Sequence, residues 1–164
     1  MKKIVTLLML VAVAFVNAQA FKGKGDVKAQ VGATFQKGAN GIQVSADFGI
    51  GENMSYGFVG SYLLGFSDVP TGSIEVPFKD RADLKARFSA NIGKVLTLGD
   101  QIDVYPGLNI GTKAFGAHLG GRYFFSDGFG LFTELGLPIA SYESNNGGGF
   151  NDQFVFVFGV SFNL

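Results

Sequence analysis

His118 is the single histidine of this 164-residue chain, so any acid–base chemistry must be built around it or around carboxylates. The charged residues that alternate with apolar ones are Asp47, Asp83, Asp103 and Glu134, and against them Lys28, Lys85, Arg87 and Arg122. General acid–base or nucleophilic catalysis needs a base within reach of a nucleophile or an activated water. No Ser, His and acid grouping has spacing specific enough for that, and no enzyme is expected. One histidine, no cysteine and scattered carboxylates give no metal-ligand spacing, so neither metal nor cofactor is expected. The glycines of 111–121, "GTKAFGAHLGG", do not open a helix after a strand in a βαβ unit and fail as a nucleotide-binding loop. The chemistry left is electrostatic. Opposite charges on separate segments suit an internal, neutralised network, with His118 pointing into it near Arg122.

The elements that must position these residues read as strands. Side chains of a strand alternate between two faces, and the chain repeats that period. In "DVKAQVGATFQ", Val27, Ala29, Val31, Ala33 and Phe35 oppose Lys28, Gln30, Thr34 and Gln36. In "IQVSADFGI", Ile42, Val44, Ala46, Phe48 and Ile50 oppose Gln43, Ser45 and Asp47. "SYGFVGSYLLGF" places Tyr56, Phe58, Tyr62, Leu64 and Phe66 together, and "RADLKARFSANI" sets Leu84, Phe88 and Ile92 against Asp83, Lys85 and Arg87. "QIDVYPGLNIG" is a weaker segment, because Pro106 lacks a ladder donor and belongs at a bulge or bend. "FGAHLGGRYFF", "FGLFTELGLPIASY" and "QFVFVFGVSFNL" complete eight. Turn-forming stretches separate them: 37–41, 51–53, 67–80, 111–114, 126–128 and 143–152. Almost no helix is expected, and 93–100 reads equally as a long turn or a strand extension.

Residues 1–20 carry Lys2 and Lys3, an apolar run from Ile4 to Val16, and Ala18-Gln19-Ala20. That order predicts a secretory signal peptide cleaved after Ala20, with Ala18 as the second choice. The run is shorter than the roughly 18 to 20 apolar residues of a membrane-spanning helix. The remaining 21–164 is the size of one domain. Lys plus Arg and Asp plus Glu are 13 each, so no field favours nucleic acid. Charged residues are 16%, below the roughly 25% of ordinary soluble domains. High hydrophobicity without a spanning helix points to a sheet.

Which face is wet follows from volume. A lumen of eight strands is just wide enough to be filled by side chains, and Phe154, Phe156, Phe158 and Phe162 on one strand would overcrowd it. Lipid imposes no such limit. The polar face mixes Gly, Ser, Thr, Asn and Gln with balanced charge, unlike the Lys- and Glu-rich exterior of a soluble protein. A closing strand paired with the first also removes both sheet edges. The expected fold is therefore all-β, an eight-stranded antiparallel up-and-down transmembrane β-barrel, with Phe154, Phe156, Phe158, Val160, Phe162 and Leu164 facing lipid.

At this point the chain resembles the small outer-membrane β-barrel proteins of Gram-negative bacteria, of the OmpX and OmpA membrane-domain kind. The specific element is the final strand, whose alternate apolar residues Phe156, Phe158, Val160 and Phe162 match that class's assembly signal; Leu164 replaces its terminal aromatic. The resemblance implies outer-membrane localisation, contact with membrane lipid and the outer-membrane assembly machinery, and both termini in the periplasm. It places turns 51–53 and 126–128 on that side and links 37–41, 67–80, 111–114 and 143–152 outside, so that the long links share one side.

The interior charges Lys28, Asp47, Asp83, Lys85, Arg87, Asp103, His118, Arg122 and Glu134 are expected to plug the lumen, because an unpaired buried charge is costly. Loop 67–80 is the place for a surface partner, since loops on a rigid scaffold carry recognition. Ile74, Val76 and Phe78 alternate as if the sheet extended there. The expected protein is a porin-like, non-enzymatic monomer with a structural or surface-interaction role. The alternatives are a narrow channel for small solutes and a soluble lipocalin-like carrier of an apolar ligand. Phe158→Arg should harm folding into lipid more than Arg87→Gln.

Overall fold

A computed structural model describes residues 19–67, 76–142 and 150–164. Residues 1–18 of the expected leader, 68–75 of the long loop and 143–149 lie outside that description. Among the described residues the strands are β1 (Val27–Gln36), β2 (Ala39–Gly49), β3 (Met54–Phe66), β4 (Ala82–Ala90), β5 (Ile102–Gly111), β6 (Ala114–Ser126), β7 (Phe129–Ser141) and β8 (Val155–Asn163). Each pairs antiparallel with its predecessor, and β8 returns to β1 from Lys28–Asn163 to Gln36–Val155. The result is a closed eight-stranded up-and-down barrel, in which no strand is left with an open edge.

The polarity is inverted relative to a soluble protein. Lys28, Gln30 and Thr34 of β1, Gln43, Ser45 and Asp47 of β2, and Asp83, Arg87 and Ser89 of β4 are buried in the lumen. The residues between them point out, and Phe58, Leu84 and Ile139 are 59%, 66% and 60% exposed. On β8, Phe156, Phe158 and Phe162 are exposed while Val155, Val157 and Ser161 are buried. Tyr105, Phe124, Phe132, Leu63 and Val157 join the polar residues inside, so the lumen is a mixed core and not a purely polar one.

The start of β1 and the end of β8 share one end with the turns 50–53, 91–101 and 127–128. Segment 20–26 folds back under this mouth: the Ala20 N–H donates to the Asp100 carbonyl at 2.7 Å, and buried Ala20 packs with Phe124. The 91–101 connection is a compact turn. Leu96, Thr97 and Leu98 donate backbone hydrogen bonds to Ile92, Lys94 and Gly93.

At the opposite end the link expected at 37–41 is shorter. Gln36 pairs with Ala39, leaving Lys37-Gly38 as a two-residue hairpin turn with Gly38 at φ 76°, a left-handed conformation that glycine adopts without strain. The strand extension expected through Phe78 is absent among the described residues. Residues 76 and 77 are not in a strand, and α1 (Phe78–Arg81) is a single helical turn with Pro77 at its N-cap. Proline pre-sets helical φ at a helix start, which explains the break. Arg81 lies over the Phe66 ring at 5.1 Å, Phe66 meets Phe150 at 5.0 Å, and the Asn151 side chain donates to the Asp80 carbonyl at 3.2 Å. These contacts tie the long connections to each other.

Pro106 sits where the β4–β5 ladder stops. That ladder ends at Ser89–Gly107, one residue short of the proline, while pairing with β6 runs through Pro106–Leu119. A residue without an N–H is tolerated where one side of the ladder lapses.

Candidate functional site: the lumen network

Arg87 is the centre of the buried charges. Strand parity aims it inward from β4, and the register puts Asp47 of β2 within its reach. Arg87 Nε and Nη2 donate to Asp47 Oδ1 and Oδ2, both at 2.7 Å, a bidentate fork that fits guanidinium and carboxylate planes. Nη1 donates to Glu134 Oε2 at 2.6 Å on β7. Nη2 also reaches Gln30 Oε1 at 3.0 Å on β1 and Ser45 Oγ at 3.1 Å. One side chain thus joins strands on both sides of the lumen.

Tyr105 crosses the barrel's width. It is fully buried, and its hydroxyl accepts from Gln30 Nε2 at 3.3 Å, joining β5 to β1, four strands away around the wall. Its ring occupies space left by Gly120, where a Cβ would collide with it. The Arg122 guanidinium stacks on that ring at 4.1 Å, favourable because the ring face is electron-rich. Arg122 also sits 3.2 Å from Asp103 and 3.7 Å from Asp47. Its N–H groups are not aligned for hydrogen bonds to either, so Arg122 acts as a point charge shared between two carboxylates.

The remaining predicted residues form satellites. Lys28 lies near the terminal mouth, paired with Asp26 at 2.6 Å and bonded to Asn163 at 2.9 Å, with its ammonium 5.2 Å from the Phe124 ring. Asp103 accepts from Asn91 Nδ2 at 2.7 Å. Asp83 accepts from the Thr112 hydroxyl at 2.7 Å and pairs with Lys85 at 3.3 Å near the opposite mouth.

His118 does point inward, but its partners are not Arg122. Nε2 lies 2.9 Å from Ser89 Oγ and Nδ1 lies 3.5 Å from Asn109 Nδ2, and Tyr105 stands on its other side with ring centroids 6.2 Å apart. Four residues along a strand separate His118 from Arg122 by more than a side chain's reach. The Ser89–His118 pair is an imidazole beside a hydroxyl, but both are buried and the outer ring nitrogen faces an amide instead of a carboxylate. It lacks the orienting acid and open approach of a hydrolytic site. Among the described residues no three His, Cys, Asp or Glu groups are placed to hold a metal.

Reading by residue type missed Tyr105, Asp26, Gln30 and Asn91 as members. Tyr105 shares the parity of Asp103 on a polar face, the one signal that would have revealed it.

The fold and lumen together define a closed, inside-out antiparallel barrel filled by a cross-lumen salt-bridge network. The chain belongs to a family of unknown function, DUF6646, whose model matches residues 11–164. No curated protein matches it. Among solved structures, a chain described as "De novo design of transmembrane beta-barrels" is similar, with a TM-score of 0.54 and 11% identity over 87% of this chain and 98% of that one. At that identity the likeness is one of fold.

Proposed function

We propose that the protein is a small integral outer-membrane β-barrel with a plugged lumen, non-enzymatic, whose role is structural or exercised through the loops opposite the termini. The observation that carries the reading is the inverted polarity: paired ions inside and a continuous apolar belt outside. Soluble monomers rarely expose apolar patches beyond a few hundred Å², whereas lipid covers such a belt without cost. Aromatic rings gather toward the terminal end, in the chain of contacts Tyr123–Phe125, Phe125–Phe129 and Phe129–Phe162, as in the interfacial girdles of membrane barrels. The designed transmembrane barrel of similar fold supports the same reading.

Secretion through an N-terminal leader, cleaved at the second-choice site after Ala18 so that Ala20 keeps its place against Phe124, the periplasmic position of the termini and insertion by the assembly machinery complete the proposal. The plug is favoured over the channel because Arg87–Glu134 and Tyr105–Gln30 span the lumen. An apolar-ligand carrier would need an apolar cavity where these ions stand. The protein refolded into a planar phosphatidylcholine bilayer tests this: no steady conductance is expected, and a persistent ohmic conductance would replace the plug with a pore.

A further inference from the structure

The turn 91–101 is unlike its neighbours at the same end. Turns 50–53 and 127–128 are short and contain Gly51, Asn53, Asp127 and Gly128, residues that turns favour, with Ile50 their one exposed large aliphatic at 45%. The β4–β5 turn instead holds Val95, Leu96 and Leu98 on a hydrogen-bonded knuckle, where they are 62%, 50% and 41% exposed. Thr97, at φ 53°, bends the chain between them. The compact backbone holds three large aliphatic side chains in the open, with no part of the described barrel covering them.

The knuckle grows from the apolar belt. Outward positions on β4 run Leu84, Phe88 and then Ile92, and those on β5 resume at Ile102, Leu108 and Ile110; all but half-buried Ile92 are exposed. Backbone bonding from the Ile92 N–H to the Val104 carbonyl at 2.9 Å keeps the base of the knuckle in register with the belt. Lys94 adds a long cation at the same place, able to lay its methylenes on apolar surface while its ammonium meets a phosphate.

We infer that Val95, Leu96 and Leu98 form a lipid-docking site that inserts into the leaflet at the terminal end of the barrel, with Lys94 at its headgroup level. The inference rests on the membrane reading above and adds to it an anchor beyond the strands. Apolar area set into the headgroup and acyl boundary, with a basic residue at its edge, is how interfacial segments bind membranes. Such an anchor would fix the depth and tilt of the barrel, because the knuckle lies on one side of the mouth only.

The chain has no tryptophan, so one introduced residue reports its own surroundings. The test compares Leu96→Trp with Leu108→Trp, the latter at an exposed belt position within β5. Both are refolded into phosphatidylcholine vesicles with or without bromine on the acyl chains, and folding is checked by the gel mobility of unboiled samples. The expected result is blue-shifted Leu96→Trp emission, lost to brominated lipid to a degree comparable with Leu108→Trp and resistant to aqueous acrylamide. Red-shifted emission quenched by acrylamide would overturn the inference, as would blue-shifted emission untouched by brominated lipid, which would mean a protein cover. Quenching of Leu108→Trp without Leu96→Trp refutes the anchor alone. If Leu108→Trp is not quenched, the membrane reading itself fails. Val95→Trp replaces Leu96→Trp if the latter does not fold.

Discussion

Replacing Arg87 by glutamine removes the cation on which the centre of the lumen depends. In the native barrel its guanidinium is bonded to Asp47 through two contacts of 2.7 Å and to Glu134 through one of 2.6 Å. Glutamine is too short and uncharged, so two buried carboxylates lose their main counter-ion. Breaking a buried pair from one side costs about 3–5 kcal/mol, because the remaining charge stays desolvated. Arg122, 3.7 Å from Asp47, retains part of the attraction for that carboxylate, which leaves Glu134 the more exposed to the loss. The expected destabilisation is therefore in that range, and it equals or exceeds the cost of placing an arginine at the outward-facing Phe158, about 2–4 kcal/mol if that position lies near a bilayer midplane. The order is the reverse of the one read from sequence, where Arg87 was one charge among several. Urea titration of the protein in vesicles, following the fraction of compact unboiled band, gives the difference by linear extrapolation. The triple variant Arg87→Met, Asp47→Asn, Glu134→Gln removes charge from both sides and should recover most of the loss. The reasoning is refuted if Arg87→Gln stays within about 0.5 kcal/mol of the parent, the range of an unremarkable surface change, or if the triple variant is no better than the single one.

Phe158→Arg should fold normally in short-chain detergent but poorly in bilayers, and equal yields in both would contradict a lipid-facing position. Gly120→Val should displace the Tyr105 ring and cost about 1–3 kcal/mol as overpacking, while Gly121→Val, with open space around its Cβ, should leave the urea midpoint nearly unchanged. Lys28→Met strands Asp26 beneath the terminal mouth, and faster amide exchange is the expected consequence at Gly25 and Gly49, whose N–H groups donate to the Gly49 carbonyl at 2.9 Å and to the Asp26 carbonyl at 2.8 Å.

Strand parity was legible because each face is chemically uniform over many residues, and a one-residue slip would have put Arg87 or Asp47 outside. The register between distant strands was not legible, and the site depends on it. Asp47 and Arg87 are 40 positions apart, and only the pairing of β2 with β3 and β3 with β4 brings them to one level. Tyr105 was hidden for a related reason: its space is supplied by Gly120 on the neighbouring strand, visible only when Tyr105 is set opposite Gly120. The apolar alternation misled at Val76 and Phe78 because alternation is a weak signal over so few residues. Pro77 followed by Phe78–Arg81 was the better cue, a helix start. The knuckle at 93–100 was ambiguous because its leucines and valine fit either a strand or an exposed turn.

The central claim is that the apolar belt meets lipid. The full chain, expressed in a Gram-negative host and fractionated, should appear in the outer membrane and migrate as a compact band in detergent that shifts on boiling. A protein recovered from the soluble periplasm, with the same mobility before and after boiling, would contradict the account.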